Sequence, residues 1–431
     1  MGRMSDLRRR TLACLLIAPL LLWGDAELTA QPLPTAAPAA EGFSPERLDR
    51  LHARLQRFVD EGQHAGLITL IARNGKVVDS RVHGFRDRAR QLPMQRDTIV
   101  RIYSMTKVIT SVAVMMLVEE GRLRLDDPVR TYLPAFAAPK VFTGGTAAAP
   151  RVSGTDVPIT IRHLLTHTSG LIYGFGSDPI DGIYTDAKVL QLPTLEAFVS
   201  QAASLPLVAP PGDRFAYGLS TDVLGAVVQE VSGEPFDEFI RRRILEPLGM
   251  TDTGFTVPES KRGRLAIVYT TGKDGGLVPM AFDGVPYPDP LGRTFPSGGG
   301  GLFSTIDDYA RFGQMLLNGG ELDGVRLLGR KTVETMRANH LAHLDRPSTD
   351  GSRSEGFGLG GSVRLDLASG APLGSVGQFG WSGAATTYFN IDPVEGTLAL
   401  VFAQHMPFNE HDLFDTFSTM MYAALVDAPR P

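Results

Sequence analysis

Residues 102–129 read IYSMTKVITSVAVMMLVEEGRLRLDDPV. Within them Val108, Ile109, Val112, Ala113, Val114, Met115, Met116, Leu117 and Val118 leave almost no polar face on a helical wheel, and a helix that is apolar on every side belongs at the centre of a protein. The run opens on Ser104, with Lys107 three residues later. Positions i and i+3 share one helix face, so the hydroxyl and the ammonium can meet. Burial favours neutral lysine, and a lysine that gives up its proton easily can take one from a serine hydroxyl. Ser104 is predicted in the first turn, where backbone N–H groups favour an anion developing on a substrate oxygen. Ser-x-x-Lys alone is a weak signal, because a capping serine and a lysine that snorkels to the surface give the same pattern.

Upstream of this helix, Ser44 and Pro45 head a segment with Leu48, Leu51, Leu55 and Phe58 at helical spacing. Residues 67–87, LITLIARNGKVVDSRVHGFRD, predict two strands joined at Asn74-Gly75. Between 126 and 297 the texture changes to short helical segments broken by Gly and Pro, such as ITIRHLLTHTSGL and STDVLGAVVQEVSGEPFDEFIRRRILEPLGM. Beyond 298, Ser304 or Thr305 caps another amphipathic helix, strand-like runs return in GFGLGGSVRLD, GQFGWSGAATTYFNID and GTLALVFAQH, and DLFDTFSTMMYAALVDA closes the chain as a helix. The pattern predicts an α/β domain made from 42–125 and 298–431, split by a mostly helical, all-α insert at 126–297.

Composition limits what such a chain can do. At 431 residues, 43% hydrophobic and 21% charged, it is long enough to bury a large core. Its net charge is −5, and a mildly acidic surface argues against nucleic acid or anionic lipid as main partner. Residues 1–30 set Arg8, Arg9 and Arg10 before the apolar stretch 11–23, with small residues at Ala26 and Ala30. This is the layout of a signal peptide, loosely of twin-arginine type, followed by a Pro/Ala-rich spacer at 31–41. It predicts a periplasmic or secreted protein without stable membrane insertion after cleavage. The single cysteine, Cys14, lies in that segment, so the mature chain has no disulfide, thiolate nucleophile or cysteine metal site.

The segment YSMTKVITSVAVMMLVEEGRLRLDDPV resembles the first active-site motif of the serine β-lactamase and penicillin-binding-protein superfamily, in its class C and family VIII carboxylesterase branch. PITIRHLLTHTSGL, PGDRFAYGLSTDVLGAVVQEVSG, PLGMTDTGF, SGGGGLFSTIDDYARF and FGWSGAATTYFNIDP follow in the family's order. The resemblance covers almost the whole mature chain. It implies a β-lactamase-like fold, an antiparallel sheet flanked by helices with an inserted helical domain. It further implies Ser104 as the acylated nucleophile, Lys107 as its helper base and Tyr217 as the tyrosine sharing proton transfer. The backbone N–H groups of Ser104 and Ala384 would form the oxyanion hole, and Trp381, Ser382, Gly383, Leu219 and Tyr173 would line the substrate site.

Two departures from the β-lactamase pattern bear on substrate. Leu219 stands where the Tyr-x-Asn motif has its amide, and Trp381 where Lys-Thr-Gly has its cation. Each loss removes a polar partner worth commonly ~1–3 kcal/mol. A neutral ester is better served than an anionic β-lactam. A D-amino-acid peptidase, a weak β-lactamase, or a slowly acylated binding or sensor protein would carry the same residues. His163 and His167 have the four-residue spacing of a zinc helix, but Leu164 stands where the general-base glutamate belongs. His167 is expected at the rim of the site or at a helix end. There is no Gly-x-Ser-x-Gly, and the glycines at 298–301 lack the Lys-Ser/Thr of a phosphate loop. The expected enzyme is a secreted serine carboxylesterase acting on a small ester without metal or organic cofactor, its oligomeric state not legible in the sequence.

Overall fold

In the computed structural model the hairpin at Asn74-Gly75 joins strands Gly66–Arg73 and Lys76–Asp87. Both turn residues have positive φ, 52° and 78°, as a type I′ connection requires. The structure describes residues 32–282, 285–286, 295–344, 354–368 and 372–427. The predicted signal segment 1–30 lies outside them.

The hairpin belongs to an eight-stranded antiparallel sheet. Its order is Glu355–Phe357, Ser362–Arg364, Phe379–Gly383, Thr387–Asp392, Thr397–Ala403, Gly66–Arg73, Lys76–Asp87 and Leu92–Pro93. Every residue of Gly66–Arg73 is buried because helices cover both faces. Leu67 and Ile71 pack with helices Pro45–Asp60 and Leu413–Ala424, whereas Ile68 and Leu70 join the core of helices Thr106–Glu119 and Ile306–Leu317. A strand buried on both sides reads as a continuous apolar run rather than an alternating one. Each fully buried leucine or isoleucine contributes roughly 1.5–3 kcal/mol.

The central helix spans Thr106–Glu119, with residues 106–117 all buried, and packs against Ser220–Ser232. It starts later than the sequence suggests. Ser104 sits in a separate 3₁₀ turn, Tyr103–Met105, in front of it. Between 126 and 297 lie the helices Ile161–Leu165, Pro179–Ala187, Leu195–Ser204, Ser220–Ser232 and Phe236–Ile240. Strands occur there too. Lys140–Gly145 pairs with Pro150–Gly154, and Tyr269–Thr271 pairs with Leu277–Pro279 and, in parallel, with His405–Met406. The core is continuous across this stretch, since Phe198, Val227 and Phe236 belong to the same cluster as Leu400 and Phe402.

Residues 32–41, read as a spacer, are tied down instead. Ala36 N donates to Val77 O at 3.0 Å and Val77 N to Pro34 O at 2.7 Å, because burying Leu33 draws the segment against the sheet. No helix among the described residues is long and apolar enough to cross a membrane.

Candidate active site

The turn that presents Ser104 is strained. Tyr103 has φ 43°, a left-handed conformation that costs a bulky residue on the order of 1–3 kcal/mol. Contacts from distant strands and helices hold it. Ile102 N donates to Leu302 O at 3.2 Å, Thr387 Oγ1 to Ile102 O at 3.3 Å and Tyr309 OH to Met105 O at 2.9 Å. Strand Phe379–Gly383 lies hard against the same turn. A Cβ at Gly383 would stand 2.3 Å from Ile102 O and 2.2 Å from Thr387 Oγ1, so only glycine permits the approach. As a result, residues 384–386 come up beside the serine's turn, with Ala385 packed on Tyr103.

Lys107 is 0% exposed, and its Nζ donates to Ser104 Oγ at 3.1 Å, Tyr173 OH at 3.0 Å and Gly299 O at 2.6 Å. Three acceptors match the three donors of an ammonium. Gly299 is positioned by Asp222, a buried residue in the first turn of Ser220–Ser232. Its Oδ1 accepts from Gly299 N at 3.0 Å and from Ser297 Oγ. A Cβ on Gly299 would meet Asp222 Oδ2 at 2.3 Å and Tyr173 OH at 2.9 Å, so any side chain there would push the carbonyl off the lysine. The glycine run at 298–301 is thus a close-packed backbone support for Lys107.

Tyr217 faces the same lysine, with Nζ 4.7 Å from its ring centroid. Its hydroxyl accepts from Trp381 Nε1 at 3.1 Å, and its ring stands 5.6 Å from Tyr173 and 5.4 Å from Trp381. The tyrosine bonded to Lys107 is therefore Tyr173, while Tyr217 touches it through its ring. Gly218 allows the two tyrosines to converge, since a Cβ there would lie 2.3 Å from Ile172 Cα. Phe175, 84% exposed, stacks on Tyr173 with centroids 5.1 Å apart.

His167 lies beneath Tyr217, fully buried, just past the end of helix Ile161–Leu165, which is the second of the two places expected for it, and not at the rim. Its carbonyl accepts from Ala216 N at 2.7 Å and its Nδ1 from Gly218 N at 3.3 Å, so it straps the backbone on both sides of Tyr217. Burial, and then the neighbouring Lys107 cation, push the imidazole well below its usual pKa. The ring is neutral, and with Nδ1 accepting, the proton sits on Nε2, 3.5 Å from Thr221 Oγ1. His163 is occupied likewise, its Nδ1 accepting from Thr160 N at 3.3 Å in a capping box.

The fold thus gathers Ser104, Lys107, Tyr173, Tyr217 and Trp381, with Ser382 beside Trp381 on the strand that ends at Gly383 and Ala384 in the turn after it. Leu219 is a correction. It is 1% exposed and packed into the main core just before Ser220–Ser232, which leaves no surface for a substrate. Sequence reasoning missed Asp222 and Gly299 as supports of Lys107. The glycines at 298–301 stand out in the sequence, but nothing local links them to Asp222 or to Lys107.

The family profile named Beta-lactamase matches residues 51–420. Protein Rv1367c of Mycobacterium tuberculosis is 39% identical over 368 residues, 84% of this chain and 90% of that one. Esterase EstB of Burkholderia gladioli is 32% identical over 336 residues, 73% of this chain and 76% of its own. The solved structure of EstCE1, described as a hydrolase with promiscuous acyltransferase activity, matches with a TM-score of 0.74 at 29% identity, over 90% of this chain and 100% of that one.

Proposed function

The chain belongs to the β-lactamase family, and from that premise we propose that it is a serine esterase, which hydrolyses small neutral carboxylic esters through an acyl-enzyme on Ser104. The observation that carries the reading is the buried Lys107 Nζ 3.1 Å from Ser104 Oγ, in a site that bears Trp381 where the β-lactamase pattern has a cation. The names of EstB and EstCE1 point the same way.

In this scheme the reacting form carries one proton fewer on the Lys107 and Tyr217 pair, as a neutral lysine amine or a tyrosinate, and as Ser104 Oγ attacks the ester carbonyl its proton passes to that group. The N–H groups of Ser104 and Ala384 hold the oxyanion. The alcohol leaves with the proton, and a water then cleaves the acyl-enzyme by the reverse transfer. Trp381 and the exposed Phe175 give the acyl or alcohol group apolar surface. The scheme calls on no cofactor, and the signal-like sequence of residues 1–30 supports a reaction outside the cytoplasm.

The test is a comparison of substrates on one preparation: a short-chain p-nitrophenyl ester, a chromogenic cephalosporin and a D-alanyl amide. Two missing polar partners at ~1–3 kcal/mol each translate to an expected preference in kcat/KM of about 10²-fold or more for the ester. A cephalosporin or D-alanyl amide cleaved as fast as the ester would reassign the substrate class.

The two tyrosines give a second expected result. Tyr217→Phe should lower kcat by about 10²-fold or more, the usual contribution of a proton-transfer group. Tyr173→Phe should cost less, because Lys107 keeps Ser104 and Gly299 as acceptors. Steady-state kinetics of both variants decide it. The reverse ranking would give the proton-transfer role to Tyr173, the tyrosine that bonds the lysine.

A further inference from the structure

Away from Ser104, three histidines and a glutamate converge beside the start of strand Gly66–Arg73. His64 lies in the link from helix Pro45–Asp60 to that strand, His405 opens strand His405–Met406, and Glu410 and His411 precede helix Leu413–Ala424. The donor atoms of His405, Glu410 and His411 lie within 4.8 Å of one another. Glu410 Oε2 stands 2.7 Å from His405 Nε2 and 3.7 Å from His411 Nε2. The His64 ring packs against this trio, its centroid 5.1 Å from that of His405 and 5.5 Å from that of His411, which are themselves 5.2 Å apart, so a turn of its side chain is needed to bring a nitrogen onto a shared ion. His64 is 1% exposed, and neither of its ring nitrogens has a hydrogen-bond partner; Nδ1 of His405 has none either. An imidazole always carries at least one N–H, so a buried donor stands unsatisfied, which folded proteins rarely tolerate without a ligand.

We propose that His405, Glu410 and His411, with His64 as the fourth donor, bind a divalent transition-metal ion of the zinc type. Imidazoles with one carboxylate are a donor set that zinc takes in tetrahedral geometry. Metal–nitrogen bonds of ~2.0–2.1 Å place the centroids of two ligating rings on the order of 5 Å apart, the spacing of this triangle. The 2.7 Å contact between Glu410 and His405 must open to roughly 3.3 Å to admit the ion, a shift that the partly exposed Glu410 can make. Thr271 Oγ1 donates to Glu410 Oε2 at 2.8 Å, the kind of outer hydrogen bond that orients a ligating carboxylate.

The ion's role is structural. His405 N donates to Ala385 O at 3.1 Å, Thr386 Oγ1 donates to His405 O at 2.8 Å, and Asn409 N donates to Thr386 Oγ1 at 3.1 Å. A metal on His405, Glu410 and His411 that also takes His64 therefore fastens the turn that follows Ala384 to the foot of the first helix, where His64 N donates to Phe58 O at 3.0 Å. Because the donors are spread over positions 64, 405, 410 and 411, no local motif announces them.

The test uses the untagged full-length chain, stripped with EDTA, titrated with zinc chloride and dialysed. One zinc per chain should remain by elemental analysis, the melting temperature should rise with zinc concentration, and cobalt(II) should give the visible absorption of a four-coordinate site. Glu410→Gln and His411→Ala alter partly exposed side chains, so both variants should keep the metal-free melting temperature of the wild type. Each should bind zinc about 100-fold more weakly. No zinc retained by the wild type, or zinc bound equally well by both variants, would overturn the assignment.

Discussion

Ser104→Ala should bring the hydrolysis of a short-chain p-nitrophenyl ester down by about 10⁴-fold or more in kcat, the scale on which removal of a nucleophile acts when its partners work as a unit. The fold should not notice. Lys107 retains Tyr173 OH and Gly299 O when the serine hydroxyl is lost. The bonds that hold Tyr103 in its left-handed conformation come from Leu302, Thr387 and Tyr309, none of which uses the Ser104 side chain. The melting temperature should therefore stay within the range of an ordinary surface substitution, about 0.5 kcal/mol in stability. Acid-quenched enzyme should show an acyl adduct by intact mass in the wild type and none in the variant. Turnover within tenfold of the wild type would mean that another group attacks the ester.

What could be read along the chain was the part written in local periodicity. The apolar run of the central helix from Thr106 on, the Asn74-Gly75 turn, the Ser44 and Thr305 caps and the strands before Asp392 form where their residues predict, while the turn that carries Ser104 stands apart from that helix. Backbone strain was not readable. Tyr103, His167 and Thr386 all have positive φ, 43°, 53° and 57°, and adjoin Ser104, lie beneath Tyr217 and close the turn after Ala384 respectively. Nothing in the types Tyr or Thr favours the left-handed region; the surrounding packing imposes it. Long-range partners were equally hidden. The carbonyl of Gly299 reaches Lys107 across 192 positions, and Asp222 accepts from the N–H of the same glycine across 77. Leu219 shows the same limit in another form, since its position beside Tyr217 in sequence says nothing of the helix start that turns it into the core.

Lys107 offers the sharper test of mechanism, because its replacement separates charge from proton transfer. Lys107→Met keeps an unbranched side chain of similar length without the ammonium. The loss removes the hydrogen bonds from Nζ to Ser104 Oγ, Tyr173 OH and Gly299 O, of which the fully buried one to Gly299 O costs ~1–3 kcal/mol when its donor is lost. Removing a fully buried polar head group relieves a desolvation cost that offsets part of this. The two effects oppose each other, so stability should change by no more than about 2 kcal/mol, whereas kcat should fall by about 10³-fold because the serine proton has lost its acceptor. KM should move little, since the lysine lies under the serine and makes no wall of the substrate site. Lys107→Arg then divides the two roles. A guanidinium keeps the positive charge but does not give up its proton in a protein. If Lys107 carries the proton, the arginine variant should be as slow as the methionine variant. Recovery of tenfold or more in kcat by arginine over methionine would instead make the lysine an electrostatic support for the oxyanion or for a tyrosinate, and would leave Tyr217 as the group that takes the proton from Ser104.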